Sequence, residues 1–434
     1  MTDRLLSLTG APARHRETTQ PRVVLLMSPA TYRAGAFLLA AERLGLEVLQ
    51  AIDLPPSLTS YWNVPLGFDF THPEAAATQL VEALGDRPPA AVLAVDDSAT
   101  LVASLASAQL DLPSNDPAAA LAARDKFVMR ERLAAGGIPV PGYHRYPLDA
   151  DPAAIAAETC FPCVIKPLRL SGSRGVIRAD TPADFIIAWE RTRRLLLGEG
   201  YDPAGDDGFL LVERYLPGVE VALEGLLSGG ALRVLALFDK PDPLDGPFFE
   251  ETIYITPSRL PPDVQQAIVA RTAHSAAALG LREGPVHAEL RINDDGIWLI
   301  EMAGRSIGGL CSSVLEFGVG VSLEELILRH AVGLPLPSMD EEATGAGVMM
   351  IPIPRAGMLR GVDGVDTASA VPGVTGVEIT AKLNHPLVPL PEGASYLGFI
   401  FARGQSPAAA ETALRQAHAR LHFRIEPTIP LMAR

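Results

Sequence analysis

From Val286 to Asn293 apolar and polar residues alternate without a break. Side chains on a strand point to opposite faces in turn, so Val286, Ala288, Leu290 and Ile292 share one face and His287, Glu289, Arg291 and Asn293 the other. Asp294-Asp295-Gly296 suits a three-residue hairpin loop with glycine in the left-handed position, and Ile297–Ala303 reads as the returning strand. In that register Asn293 faces Ile297 and Glu289 faces Glu301. Opposed Cβ atoms in such a ladder lie about 4.5–5.5 Å apart, and like charges there repel. Two carboxylates held so close call for a positive charge between them. Mg²⁺ prefers oxygen ligands and suits one or two carboxylates combined with phosphate oxygens. The alternative is an exposed hairpin whose glutamates pair with Arg291 or Arg305.

Around this hairpin the chain changes texture twice. Val23–Met27, Leu46–Ile52 and Ala90–Val95 read as short buried strands, alternating with helices at Ala34–Leu44, His72–Leu84 and Ser98–Leu110. That alternation predicts a parallel sheet covered on both faces. No glycine fingerprint of a dinucleotide site follows its first strand. Asp116-Pro117 reads as a helix N-cap with proline at the first position, and a helix over Arg124–Ala135 ends at Gly136-Gly137. From Phe161 to Ala303 strands dominate, interrupted by long helices near Pro182–Leu197 and Pro261–Leu279. Beyond Pro335 lie strands at Gly347–Ile353, Gly376–Lys382 and Leu397–Arg403 and a last helix at Pro407–His422. The expected division is an N-terminal tail (1–20), a Rossmann-like α/β domain (21–115), a central α+β region (116–337) and an α+β C-terminal domain (338–434).

Three further segments invite a chemical reading. Lys166 ends the strand Phe161–Lys166 and is followed by the small-residue loop Ser171-Gly172-Ser173-Arg174-Gly175, whose backbone N–H groups suit phosphate oxygens. The Walker A spacing is absent, so an ordinary glycine turn remains open. Phe209–Glu220 is a strand, a bend at Pro217-Gly218 and a second strand. Main-chain groups at such a bend can pair with an adenine edge and a carboxylate with ribose hydroxyls, or the segment is a plain connector. Cys160 and Cys163 form a C-x-x-C, but only Cys311 remains as a third cysteine, too few for a zinc site. Cys163 sits inside a strand, so a core cysteine is favoured. Arg191-Thr192-Arg193-Arg194 reads as a solvated helix face.

The 434 residues carry 36 Lys plus Arg against 51 Asp plus Glu, a net charge of −15. That balance argues against broad attraction to nucleic acid or anionic lipid. No stretch approaches the roughly 18–20 apolar residues of a membrane span, and three cysteines suit a reducing compartment. The expectation is a cytoplasmic protein with no nucleic-acid or membrane partner.

Taken in order, the segments Arg124-Asp125-Lys126-Phe127 with Gly137-Ile138-Pro139-Val140-Pro141, Phe161–Pro167 with its loop, Glu213–Glu220, Glu289 and Glu301-Met302-Ala303-Gly304-Arg305 resemble the ATP-grasp superfamily of carboxylate–amine ligases. The likeness covers roughly residues 90–335, and the first domain, with Val95-Asp96-Asp97, is similar to the N-terminal domain of that family. The resemblance implies ATP and Mg²⁺ (or Mn²⁺) as cofactors. Lys126 and Lys166 would contact phosphates, Ser171, Gly172, Ser173, Arg174 and Gly175 would form the lid, Glu213, Arg214, Tyr215 and Leu216 would hold the adenine edge, and Glu220 the ribose. Glu289 and Glu301 would hold the metal. Arg305 would stabilise the transferring phosphoryl group and acyl phosphate, making Arg305 and Lys166 the catalytic pair. Arg305, Ser306, Gly308 and Gly309 would line the acyl site, and Glu251, on a strand before Tyr254, would hold a substrate ammonium group.

Many members carry asparagine where this chain has Ala303. The form Glu301-x-Ala303-x-Arg305 resembles the L-amino-acid (dipeptide) ligase subgroup, as do Arg355-Ala356-Gly357 and Gly361–Val365 in the C-terminal region. The implied activity is ATP-dependent amide formation between small carboxylate and amine substrates through an acyl phosphate, with a homodimer as the candidate assembly. The alternatives are a purine-precursor or bicarbonate ligase of the same superfamily, or a silent nucleotide-binding protein.

Overall fold

Runs of β-branched and leucine residues near the N terminus build the first layer. The computed structural model describes residues 20–29, 31–59, 66–205, 207–317, 320–337 and 344–427. The expected tail, apart from Gln20, and residues 338–343 at the expected 337/338 boundary lie outside the described residues. Strands Arg22–Met27, Glu47–Asp53, Leu66–Phe68 and Ala91–Ala94 form a parallel sheet with the Arg22–Met27 strand central, between Glu47–Asp53 and Ala91–Ala94. Helices Ala34–Arg43, Pro73–Leu84 and Thr100–Gln109 cover it, within one to two residues of expectation; the three-residue strand Leu66–Phe68 was not foreseen.

Asp116 caps the helix Pro117–Arg124 by accepting from the Ala118 N–H. The expected helix over Arg124–Ala135 instead starts at Lys126, because Asp125 turns extended and its carboxylate accepts from the N–H groups of Phe127 and Val128. That break buries Lys126 at the first turn of the second helix.

A small antiparallel sheet follows, in the order Tyr143–Pro147, Phe209–Arg214, Cys163–Pro167, Ile177–Ala179. Helices Pro152–Glu158 and Pro182–Gly198 pack on it around Trp189 and Phe185. The strand Tyr143–Pro147 and helix Pro152–Glu158 were not expected; three of the strand's five residues, His144, Arg145 and Pro147, are exposed, and no two-residue period marks it.

The large sheet has eight strands, all paired antiparallel: Gly296–Ala303, Gly284–Asn293, Val219–Ser228, Ala231–Asp239, Ile253–Thr256, Gly345–Ile351, Gly398–Gly404 and Val374–Ile379. It runs straight through the expected boundary at 337/338, since the last three strands come from the C-terminal region. The joint is the pairing of Ile253–Thr256 with Gly345–Ile351. The helix after Pro407 stops at His418, and His422–Glu426 turns into a strand paired with Gly357–Asp363. Cys163 is buried in the small sheet's core and its thiol is pushed up to about 12, first by burial, in keeping with a core cysteine.

Candidate active site

The small sheet, the large sheet and the N-terminal domain meet around the hairpin Gly284–Gly296–Ala303. Val286, Ala288 and Leu290 are fully buried beneath it, and His287, Glu289 and Arg291 face a cleft. Glu289 does oppose Glu301, by a different route from the one expected. The loop is Asp294-Asp295, with Asn293 opposite Gly296, so the register at the tip is one residue out from the sequence reading. A bulge at Ile300 then inserts an unpaired residue, and the ladder returns to Glu289 facing Glu301. The Ile300 carbonyl accepts from Arg130 Nη2 at 2.8 Å, which supplies the partner the bulge removed.

The same Arg130 anchors a second carboxylate. Glu213 is buried and accepts from Arg130 Nε at 2.6 Å, while Lys166 Nζ stands 2.5 Å from its other oxygen. Burial opposes the charge on Glu213, but Arg130 and Lys166 outweigh it and hold the carboxyl at about 2. The Glu213 side chain therefore orients Lys166, and the backbone just after it is engaged as well. There, the Arg214 and Tyr215 N–H groups donate to Gly142 O and Pro162 O, and Leu216 O accepts from Arg291.

One cleft is lined by Lys126, Lys166, Ser173, Glu213, Arg214, Tyr215, Leu216, Glu220, Phe249, Glu289, Arg291 and Glu301. Lys126 Nζ donates to Leu170 O at 2.8 Å and lies 3.6 Å from Glu301. A second cleft of about 410 Å³ shares Ser173, Glu251, Glu289 and Glu301 with the first and adds Ser171, Gly172, His287, Ala303, Arg305, Gly308 and Gly309. Arg305 Nη2 pairs with Asp97 at 2.8 Å, so the N-terminal domain closes this cleft. Two adjoining clefts with a carboxylate pair on their shared wall suit two ligands that react with each other.

Some expected residues stand elsewhere. Arg174 turns out of both clefts and pairs with Glu199 and the Glu392 carbonyl, because the loop closes onto the C-terminal region. The Ser306 side chain is buried outside the cleft lining; its carbonyl accepts from Arg305. Glu251 lies just before the strand Ile253–Thr256, not on it. Glu220 accepts from Lys240 at 2.8 Å and from Arg291 at 2.7 Å. Arg305 pairs with Asp97 and not with the hairpin glutamates.

Lys240 and His287 carry roles the sequence did not single out. Lys240 is buried and its ammonium touches Glu220, Glu251 and, at 3.4 Å, Glu289. Oxygens of those three carboxylates lie within 4.8 Å of one another. The Lys240 ammonium thus stands where three acidic side chains converge; of the expected metal pair, Glu289 belongs to this group and Glu301 pairs with Lys126, and two carboxylates on one wall are a donor type that suits a hard divalent cation. His287 Nδ1 lies 3.1 Å from Glu224 and Nε2 lies 3.5 Å from Glu289. Alternation alone placed His287 on the polar face, but Lys240 sits at the end of an apolar strand, where no local pattern marks it.

Residues 159–314 match the family description ATP-grasp domain, and residues 349–426 match L-amino acid ligase C-terminal domain 2. The chain carries an ATP-grasp domain. This ATP-grasp chain is similar to the L-amino acid ligase of Bacillus licheniformis, whose crystal structure superposes with a TM-score of 0.79 over 94% of this chain and 100% of that one, at 24% identity. It is 25% identical to the uncharacterized protein y4rH of Sinorhizobium fredii over 93% of this chain and 78% of that protein. It is 30% identical to the D-alanine--D-alanine ligase of Aromatoleum aromaticum over 45% of this chain and 66% of the relative. No helix among the described residues of this ATP-grasp chain is long and apolar enough to cross a membrane.

The His287 environment makes a pH prediction. Burial opposes its charge, but Glu224 and Glu289 raise it from 6.5 to about 9. A cation held above its unfolded pKa contributes stability that is complete below pH 6.5 and is lost as pH rises through about 9. Urea unfolding between pH 6 and 9.5 is expected to show this decline in the wild type and a flatter profile in His287→Gln. Parallel profiles for the two proteins would show that the imidazole is not the group responsible.

Proposed function

We propose that this ATP-grasp chain joins a small carboxylic acid, an amino acid in the leading version, to the amine of a second amino acid at the expense of ATP. The observation that carries the reading is the opposition of Glu289 and Glu301 on the wall shared by two clefts, with Lys126, Lys166 and Lys240 around it.

In this reading the purine lies in the first cleft between Val164, Tyr215, Leu216 and Phe249, against the Arg214–Leu216 backbone, and Glu220 takes the ribose. Lys126 and Lys166 reach the phosphates, and the Ser171–Gly175 loop covers them. Glu289 and Glu301 would hold Mg²⁺, with Mn²⁺ as the alternative ion, and the bound cation would neutralise phosphate charge. The substrate carboxylate enters the second cleft, and its oxygen attacks the γ-phosphorus while ADP departs. Arg305 and the lysines balance the negative charge that develops, and their positions are set beforehand by Asp97, Glu213 and Glu220. The amine then attacks the acyl carbonyl, an amide forms, phosphate leaves, and the nitrogen gives up its proton. Glu251, beside Lys240 at the floor shared by both clefts, faces the ammonium group of an amino-acid substrate. Its carboxyl is raised to about 7, first by burial and then by Glu289.

The test is ADP release measured against a panel of amino-acid pairs, with products read by liquid chromatography–mass spectrometry. Amino-acid stimulation with a product of the summed mass less water supports the reading. Stimulation only by bicarbonate or a nucleotide precursor, or ATP binding with no phosphate release under any mixture, rejects it.

A further inference from the structure

The run Arg191-Thr192-Arg193-Arg194 reads in the sequence as a solvated helix face, yet in the structure Arg191 and Thr192 are tied to segments remote in sequence. Arg191 Nε and Nη2 donate to the two carboxylate oxygens of Glu392 at 2.5 and 2.8 Å. Thr192 Oγ1, one residue on, donates to the Gly175 carbonyl at 3.0 Å. The Gly175 N–H in turn donates to Pro391 O at 2.8 Å, and Arg174 Nε donates to Glu392 O at 3.1 Å. Four contacts therefore join three pieces distant in sequence: the end of the glycine loop, the helix Pro182–Gly198 of the small sheet, and residues 391–392 of the C-terminal region.

The C-terminal piece is built to hold its shape. The Gly393 N–H donates to Pro389 O at 2.9 Å, and a Cβ at Gly393 would lie 1.8 Å from Val388 O, so the turn tolerates only glycine. Immediately beyond it, Ala394 and Tyr396 line the second cleft together with Ser171, Gly172 and Ser173. The turn thus touches the glycine loop on one side and the cleft on the other.

We propose that Glu392 is a positioning residue: by clamping Arg191 and presenting the Pro391 and Glu392 carbonyls to Gly175 and Arg174, it latches the small sheet and its glycine loop over the clefts. The functional part rests on the reading above, in which that loop covers ATP phosphates. The two side chains are each a little over one-third exposed, so the pair adds little to overall stability. What it contributes is alignment, and a misplacement of about 1 Å can cost a reaction on the order of a hundredfold.

The test compares wild type, Glu392→Ala and the exchanged pair Arg191→Glu/Glu392→Arg. Amide hydrogen exchange at Gly175, followed without nucleotide, is expected to accelerate about tenfold or more in Glu392→Ala and to return toward wild type in the exchanged pair. With ATP, Mg²⁺ and an amino-acid mixture, Glu392→Ala is expected to raise the KM for ATP about tenfold, with the thermal midpoint unchanged. Unchanged exchange at Gly175, a KM for ATP within twofold of wild type, or an exchanged pair that rescues neither would overturn the proposal. The exchange measurement needs no turnover. A wild type that fails to use ATP therefore removes the reading of the site, while the Gly175 amide still decides the latch.

Discussion

Glu301→Gln is expected to fold like the wild type and to lose nearly all ADP release. The substitution keeps the shape of the side chain and removes one negative charge. Glu301 faces Glu289 across the hairpin and lies 3.6 Å from Lys126. In the proposed site it supplies half of the protein's charge on the metal, and it also balances a lysine aimed at the phosphates. Loss of a group aimed at transition-state charge costs about 10²–10³ in turnover. Stability should barely change, because the side chain is 29% exposed and its ion pair is long. The measurement is steady-state ADP formation alongside thermal unfolding, with a Mg²⁺ titration. The variant should need more Mg²⁺ to reach even its residual rate. ADP formation at the wild-type rate would sink the metal role, and with it the ATP reading of both clefts.

Lys240→Met is expected to have the largest effect on stability. Lys240 is 3% exposed and is the one cation in contact with all of Glu220, Glu251 and Glu289 among the described residues. Methionine fills similar space but leaves those three carboxylates facing one another. Removing one partner of a buried ionic cluster costs about 3–5 kcal/mol. The loss should depend on pH with a definite sign. Glu251 is already raised to about 7 in the folded protein, by burial and by Glu289, against 4.5 for the free group. The folded state therefore holds that proton better than the unfolded chain does. Stability gained through this group rises as pH falls from above 7 toward 4.5, and without Lys240 the gain should be larger. Urea unfolding of the two proteins at pH 8 and pH 5.5 should show a wide gap that narrows in acid. A variant within about 1 kcal/mol of wild type at pH 8 would show that the cluster tolerates its own repulsion, and that Lys240 is not its counterion.

How the hairpin reached its register bears on what sequence reading can achieve. Alternation over Val286–Asn293 correctly separated the face that packs in the core, Val286, Ala288 and Leu290, from the face turned to the clefts, where His287 and Arg291 are buried as well. It also brought Glu289 opposite Glu301, although the loop is a residue shorter than expected and a bulge at Ile300 restores the offset. No local pattern marks that bulge. It is held by Arg130 from a helix 170 residues away in sequence, which satisfies the carbonyl the bulge leaves open. Arg174 shows the opposite outcome: a residue placed over the phosphates by its position in the loop is drawn aside by Glu199 and by a turn more than 200 residues downstream.

The periods of most strands and helices, the capping residue Asp116, and the order of lysines, glutamates and arginine along the chain were legible from residue types alone. These are short-range matters, governed by alternation, capping hydrogen bonds and apolar burial within one or two elements. The tertiary structure decided the rest. It joined the C-terminal strands to the central sheet, placed Lys240 among three carboxylates, paired Arg305 with Asp97, and tied Arg191 to Glu392. Each of these is a contact between segments remote in sequence, and electrostatic and hydrogen-bond partners of that kind are chosen by which surfaces the folded chain brings together.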